Sequence, residues 1–164
     1  MKWIIAFTLL VAYSIQVHVT MLNTGVQENA YERFTYACEI ASHDASLDVT
    51  PNSVSDGFPI FNQTEATATF DQDLAENMRL NPNTLAPLPG TLYQQPVQIL
   101  LEQFFDYSNT SFPYHYTNLT YGIDVTLNGP AIVYVVQAQI PSIEPGVSGF
   151  SKTWSVVQAY PDSP

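Results

Sequence analysis

Residues 121–140 read YGIDVTLNGPAIVYVVQAQI, two runs of β-branched and aromatic residues on either side of Asn128-Gly129. Asn-Gly suits the two central positions of a tight hairpin turn, where both residues need positive φ. The spacing predicts an antiparallel hairpin with strands over 114–127 and 131–140, Pro130 opening the returning strand without occupying its middle. With that turn fixed, Leu127 pairs with Pro130, Val125 with Ile132, Ile123 with Tyr134 and Tyr121 with Val136. One face then gathers Tyr121, Ile123, Val125, Leu127, Ile132, Tyr134, Val136, Ala138 and Ile140, and it is expected to face the core. Side chains alternate along a strand, so carrying the parity back to residue 114 turns odd positions inward. His115 is then expected inside and Asn118 and Asp124 outside; a bulge at Gly122 would invert the assignment.

Working outward, 150–160 (FSKTWSVVQAY) reads as a third strand after the loop 141–149. Upstream of Ser108 the apolar period changes from 2 to about 3.6. Residues 94–107 (QQPVQILLEQFFDY) carry Val97, Leu100, Leu101, Phe104 and Phe105 at i, i+3, i+4, i+7 and i+8, which predicts a helix with Pro96 in its first turn. Asp106 ends that helix without a visible partner. A shorter helix is expected over 69–82, with Asp73 and Glu76 in the capping pattern and Asn81-Pro82 as its stop. Residues 27–42 repeat Tyr31, Phe34, Cys38 and Ala41 at helical spacing, 49–67 read as a polar loop, and 82–93 as a Pro-rich connection. Helices followed by an antiparallel meander make an α+β chain, one domain over 21–164.

The first twenty residues, MKWIIAFTLLVAYSIQVHVT, have a positive Lys2, an apolar run from Trp3 to Val11 and small residues at Ala12 and Ser14. That order predicts a signal peptide over 1–14, cut after Ser14 or as far on as Thr20. A membrane span needs about 20 apolar residues, and Ser14, Gln16 and His18 interrupt the run. A secreted, extracellular protein is expected. Sequons at Asn62, Asn109 and Asn118 agree with export and are expected to be exposed and glycosylated. Cys38, the only cysteine, forms no internal disulfide and is expected to be a buried, inert thiol. With 15 acidic residues against 4 scattered basic ones, the net charge of −11 opposes nucleic acid and anionic membranes as partners.

Aromatic residues crowd 105–122 (FDYSNTSFPYHYTNLTYG), between the two later sequons, which poses a choice between a ligand site and glycosylated surface. His115 is the sharpest candidate for catalysis, as a general base whose ordinary pKa lies near neutrality; the plainer reading is a hydrogen-bonded histidine at a strand end. Tyr121, Tyr134, Trp154 and Tyr160 are candidates to line a pocket for a flat apolar ligand, with ordinary core packing as the alternative. His43-Asp44 with Asp48, and Asp71, Asp73 and Glu76, lack the spacing of zinc or EF-hand calcium sites, so no metal is expected. No phosphate loop, nucleophile motif or cofactor fingerprint occurs, and no cofactor is expected.

From about Phe70 onward the chain resembles the nuclear-transport-factor-like superfamily, in particular its SnoaL-like, polyketide-cyclase-like branch. The resemblance is carried by RLNPNTLAPLPGTLYQQPVQILLEQFF, YHYTNLTYGIDVTLNGPAIVYVVQA and WSVVQAYPDS, with Asp162-Ser163 after the last strand, and by SHDASLD at an early helix junction. It implies a cone-shaped curved antiparallel sheet packed on N-terminal helices, a SnoaL-like or cystatin-like roll, with a pocket between. It also implies a small hydrophobic ligand, or a cofactor-independent lyase, isomerase or cyclase reaction with His115 as acid–base group. Residues 131–140 hold no Asp, Glu or His, so binding without catalysis is the first expectation. A third is an interaction protein that forms a homodimer through the outer sheet face, where Val133 and Val135 would point.

Overall fold

The computed structural model describes residues 1–161, so Asp162-Ser163 lies outside the described residues. The chain is mixed α+β: α1 (Lys2–Ala45), α2 (Pro51–Ser55) and α3 (Gln63–Met78) precede β1 (Gln98–Phe105), β2 (Tyr114–Asn118), β3 (Ile123–Leu127), β4 (Ala131–Ile140) and β5 (Phe150–Ala159). α1 runs unbroken for 44 residues, through the expected cleavage point, and is long and apolar enough in its first half to cross a membrane by length and composition. Its first buried residue is Asn23, and the apolar side chains from Trp3 to Val17 are exposed. Beyond it Ala30, Phe34, Ala37, Cys38, Ala41 and Ala45 form the packed stripe. Cys38 is fully buried, as expected, and burial pushes its thiol pKa up.

α3 begins well before the expected 69–82 and absorbs part of the expected loop. Asn62 is its N-cap: the Asn62 side-chain oxygen accepts the Glu65 N–H at 3.4 Å and the Asn62 amide donates to Glu65 at 2.8 Å. The capping pair is thus Asn62 with Glu65, three residues apart, and Asp73 lies mid-helix. The helix ends at Met78 with Arg79 in the left-handed region (φ 58), just before the Asn81-Pro82 stop.

The expected helix over 94–107 is instead β1. It pairs antiparallel with β4, and Leu100 is an extra, bulged residue between Ile99↔Val136 and Leu101↔Val135. A bulge resets strand parity. Ile99 and Phe104 therefore join the helix-side core, while Leu101 and Phe105 join the core on the other side. A strand with apolar residues on both faces and one bulge reproduces the 3.6 spacing that predicted a helix.

The Asn128-Gly129 hairpin does not form. β4 pairs with β1 and β5 in a three-stranded sheet, and β3 pairs with β2 in a separate two-stranded one. The run 114–127 is two strands folded on each other through residues 119–122, with Gly122 at φ 67. The cause lies in β4: Ala131 to Val136 are all buried, so this strand needs cover on both faces. Ile132, Tyr134, Val136, Ala138 and Ile140 pack toward α1 and α3, and Ala131, Val133 and Val135 pack under Tyr116, Ile123 and Leu127 of the β2–β3 hairpin. Helices, sheet and hairpin make three layers. Val133 and Val135, expected on an outer face, are covered by the chain itself.

β5 is a strand as expected, paired with β4 from Phe150↔Ile140 to Ala159↔Ala131. The loop 141–149 between them is tied to α1: Asn23 accepts from Ser142 Oγ at 3.1 Å and from the Ile143 N–H at 2.9 Å, and Gln16 donates to Glu144 at 2.7 Å. Gly149 closes this loop where a Cβ would collide with the Ile140 carbonyl oxygen, so only glycine fits.

Candidate functional site

His115 faces solvent, against the inward placement expected for it. The break at 119–122 resets the parity, so Tyr116 is the inward residue of β2. His115 Nε2 lies 3.1 Å from Asp124 Oδ1, with the side chains 64% and 67% exposed, and Thr117 and Thr126 lie 3.4 Å from the ring nitrogens. The ring nitrogens are thus met by a carboxylate and two hydroxyls on the exposed face of the hairpin. Asp124 is exposed, as expected.

Those four do not line one pocket. Tyr134 is fully buried and stacked on Phe70, with ring centroids 3.8 Å apart and planes 11° from parallel. Tyr160 and the half-buried Trp154 pack in the same helix-side core, whereas Tyr121 packs with the hairpin on the opposite side of the sheet. The expected single face of Tyr121, Ile123 and Tyr134 is therefore divided between two layers.

A polar cluster that the sequence did not point to sits beneath α3. Glu102 of β1 is in register with Tyr134 of β4, and its Oε1 accepts from the Tyr134 hydroxyl at 3.1 Å and from Thr67 Oγ1 of α3 at 2.8 Å. One helical turn beyond Thr67, burial and then the charge of Glu102 raise the Asp71 carboxyl above its ordinary value. Burial, then Glu102, also push the Tyr134 hydroxyl up. Asp71 Oδ1 and Asp48 Oδ2 are buried without a hydrogen-bond partner. Asp73 is likewise raised, by burial first and by Asp44 next, while Asp44 itself lies 2.9 Å from His43. Such a group can hold and release a proton. The signal for it was Glu102, a lone acid in an apolar run, and the helical reading of that run concealed it. Among the described residues no three His, Cys, Asp or Glu side chains are arranged to hold a metal ion.

Asp106, which follows β1, is fully buried and is a structural anchor: its carboxylate accepts from the Phe61 N–H at 3.1 Å and from the Ser108 N–H at 2.8 Å and hydroxyl at 2.5 Å. Asn109 is exposed, yet its side chain is engaged, donating to the Phe104 carbonyl at 3.0 Å and accepting the Asp106 N–H at 3.1 Å. Asn62 is half-buried as the α3 cap. Asn118, expected to point outward, is half-buried at the end of β2 and donates to the Tyr116 hydroxyl at 3.3 Å.

An apolar cleft of about 240 Å³ opens between α1 and β5. Thr24, Gln27, Glu28 and Tyr31 line it from α1 at helical i, i+3, i+4 and i+7 spacing, and Phe150 and Lys152 line it from β5. The Lys152 ammonium lies 5.2 Å from the Tyr31 ring centroid and has no carboxylate at ion-pair distance among the described residues. Tyr31, expected to be core, is thus a cleft wall. No family model, curated protein or solved structure matches the chain.

Proposed function

We propose that this is an exported, glycosylated domain that binds a small hydrophobic molecule without catalysis, in the cleft between α1 and β5. The cleft itself carries the reading: its surface is mainly apolar, Tyr31 and Phe150 offer aromatic faces, and Thr24, Gln27, Glu28 and Lys152 supply polar groups that can orient a ligand. Its 240 Å³ lies just under the roughly 300 Å³ at which drug-sized pockets begin, which favours a compact ligand. Lys2 ahead of an apolar run, and the three sequons, support export and glycosylation. The SnoaL-like roll remains part of the proposal, supported by helices that precede an antiparallel sheet and cover one of its faces. The test is titration of the purified domain with a naphthalene-class fluorophore, in wild type and in Phe150→Ala. Binding lost in the variant at an unchanged melting temperature supports the cleft; equal binding in both removes it.

The cluster around Glu102 favours a second reading, a cofactor-independent lyase, isomerase or cyclase. Here Asp71 would be the proton-carrying acid and Glu102 its charged neighbour, in place of His115. Two interacting carboxyls with one raised from its ordinary value are the kind of arrangement that divides acid from base roles. For this reading, Glu102→Gln should lower turnover of a substrate by about 10²–10⁴-fold with little change in binding.

A further inference from the structure

We propose that a second copy of this chain pairs with the outer edge of β5, antiparallel and about a two-fold axis at Ser155, to join two three-stranded sheets into one. In the sheet order β1-β4-β5 this edge has no neighbouring strand among the described residues. The Tyr160 N–H donates to the Pro130 carbonyl at 2.9 Å, next to the Ala131↔Ala159 pair. Antiparallel pairs alternate between bonded and non-bonded types. Even-numbered residues of β5 therefore bond to β4, and Ser151, Thr153, Ser155 and Val157 point their N–H and C=O groups outward. No backbone partner meets them among the described residues.

Natural edges are blunted by bulges, prolines, short length or inward charges. The β1 edge has a bulge at Leu100 and an acid at Glu102. β5 pairs in continuous register over ten residues, contains no proline and carries one charge, Lys152. A strand of this kind templates another.

The sequence of β5 is complementary to itself in one register. Centred on Ser155, the axis sets Thr153 opposite Val157 and Ser151 opposite Ala159 on one face. On the helix-side face it sets Trp154 opposite Val156 and Lys152 opposite Gln158. The half-buried Trp154 and Val156 complete each other's cover, and no like charges meet. The contact is isologous, so it closes at two copies. Each copy carries a net charge of −11, so added salt should tighten the dimer by screening.

Sedimentation equilibrium of the purified glycoprotein tests this, with three variants. Wild type is expected to be a concentration-dependent dimer. Ser155→Pro removes an outward N–H while sparing every bond to β4, and is expected to be monomeric with an unchanged melting temperature. Gln158→Lys should weaken and Gln158→Glu tighten the dimer, each by roughly 2- to 30-fold in Kd, because two contacts with Lys152 change per dimer. Should Ser155→Pro fail to fold, the Gln158 pair and amide exchange still decide: Thr153, Ser155 and Val157 amides should exchange more slowly as concentration rises. A wild-type monomer at every concentration overturns the proposal. So does a dimer indifferent to all three variants, or amide exchange at these residues that ignores concentration.

Discussion

Tyr134→Ala separates a closed core from an open cone. Tyr134 is fully buried, stacks on Phe70 at 3.8 Å and donates to Glu102 at 3.1 Å. Truncating a large buried aromatic costs about 3–5 kcal/mol in lost burial and residual cavity. The stacked pair places this site toward the upper end, since such pairs contribute about 0.5–1.5 kcal/mol beyond area. Tyr134→Phe keeps the ring and the stack, and Glu102 keeps Thr67, so that change should cost only about 0.5–1.5 kcal/mol. Urea unfolding followed by circular dichroism reads both variants, with a common slope required for comparison. A loss under about 1 kcal/mol for Tyr134→Ala, with loss of bound ligand, would refute the closed interior. It would return Tyr134 to the wall of a cavity.

Three further outcomes follow from the same geometry. Asp71 has a folded pKa raised above its unfolded value near 3.9. The folded state therefore holds that proton more tightly, and the stability it gives is present below about pH 3.9 and lost as pH rises through the raised value. Asp71→Asn should thus be more heat-stable than wild type at pH 7, with the difference closing on acidification; a difference that grows toward acid pH contradicts the assigned burial. Asp106→Ala leaves the buried Phe61 N–H unpaired and should cost about 1–3 kcal/mol in chemical unfolding, whereas a neutral result would mean water replaces the carboxylate. His115→Ala should change stability by less than about 0.5 kcal/mol and leave ligand binding intact, as for an exposed surface residue; a binding defect would place the site on the hairpin.

What the sequence made legible were the features with one local cause. Runs of β-branched and aromatic residues over 131–140 and 150–160 marked β4 and β5, Asn81-Pro82 marked the end of α3 within a few residues, and the apolar surroundings of Cys38 marked a buried thiol. The misreadings came where two causes overlap. Leu100 bulges from a strand that carries apolar residues on both faces, and the resulting Leu-Leu and Phe-Phe doublets imitate helical spacing. Asn128-Gly129 has hairpin chemistry, but the two-faced burial of β4 draws the preceding strand across the sheet rather than along its edge. From that one change His115 moves to solvent, Val133 and Val135 become interior, and Tyr121 parts from Tyr134. The α1–β5 cleft joins Tyr31 to Phe150 and Lys152 across more than a hundred residues, a distance over which local periodicity says nothing.

The proposed ligand site is tested most directly by native mass spectrometry of the protein purified from a eukaryotic host, compared with the same sample denatured. A small additional mass is expected in the native spectrum of wild type and is expected to be absent from Phe150→Ala. Additional mass retained equally by both proteins, or found in neither, would contradict that site.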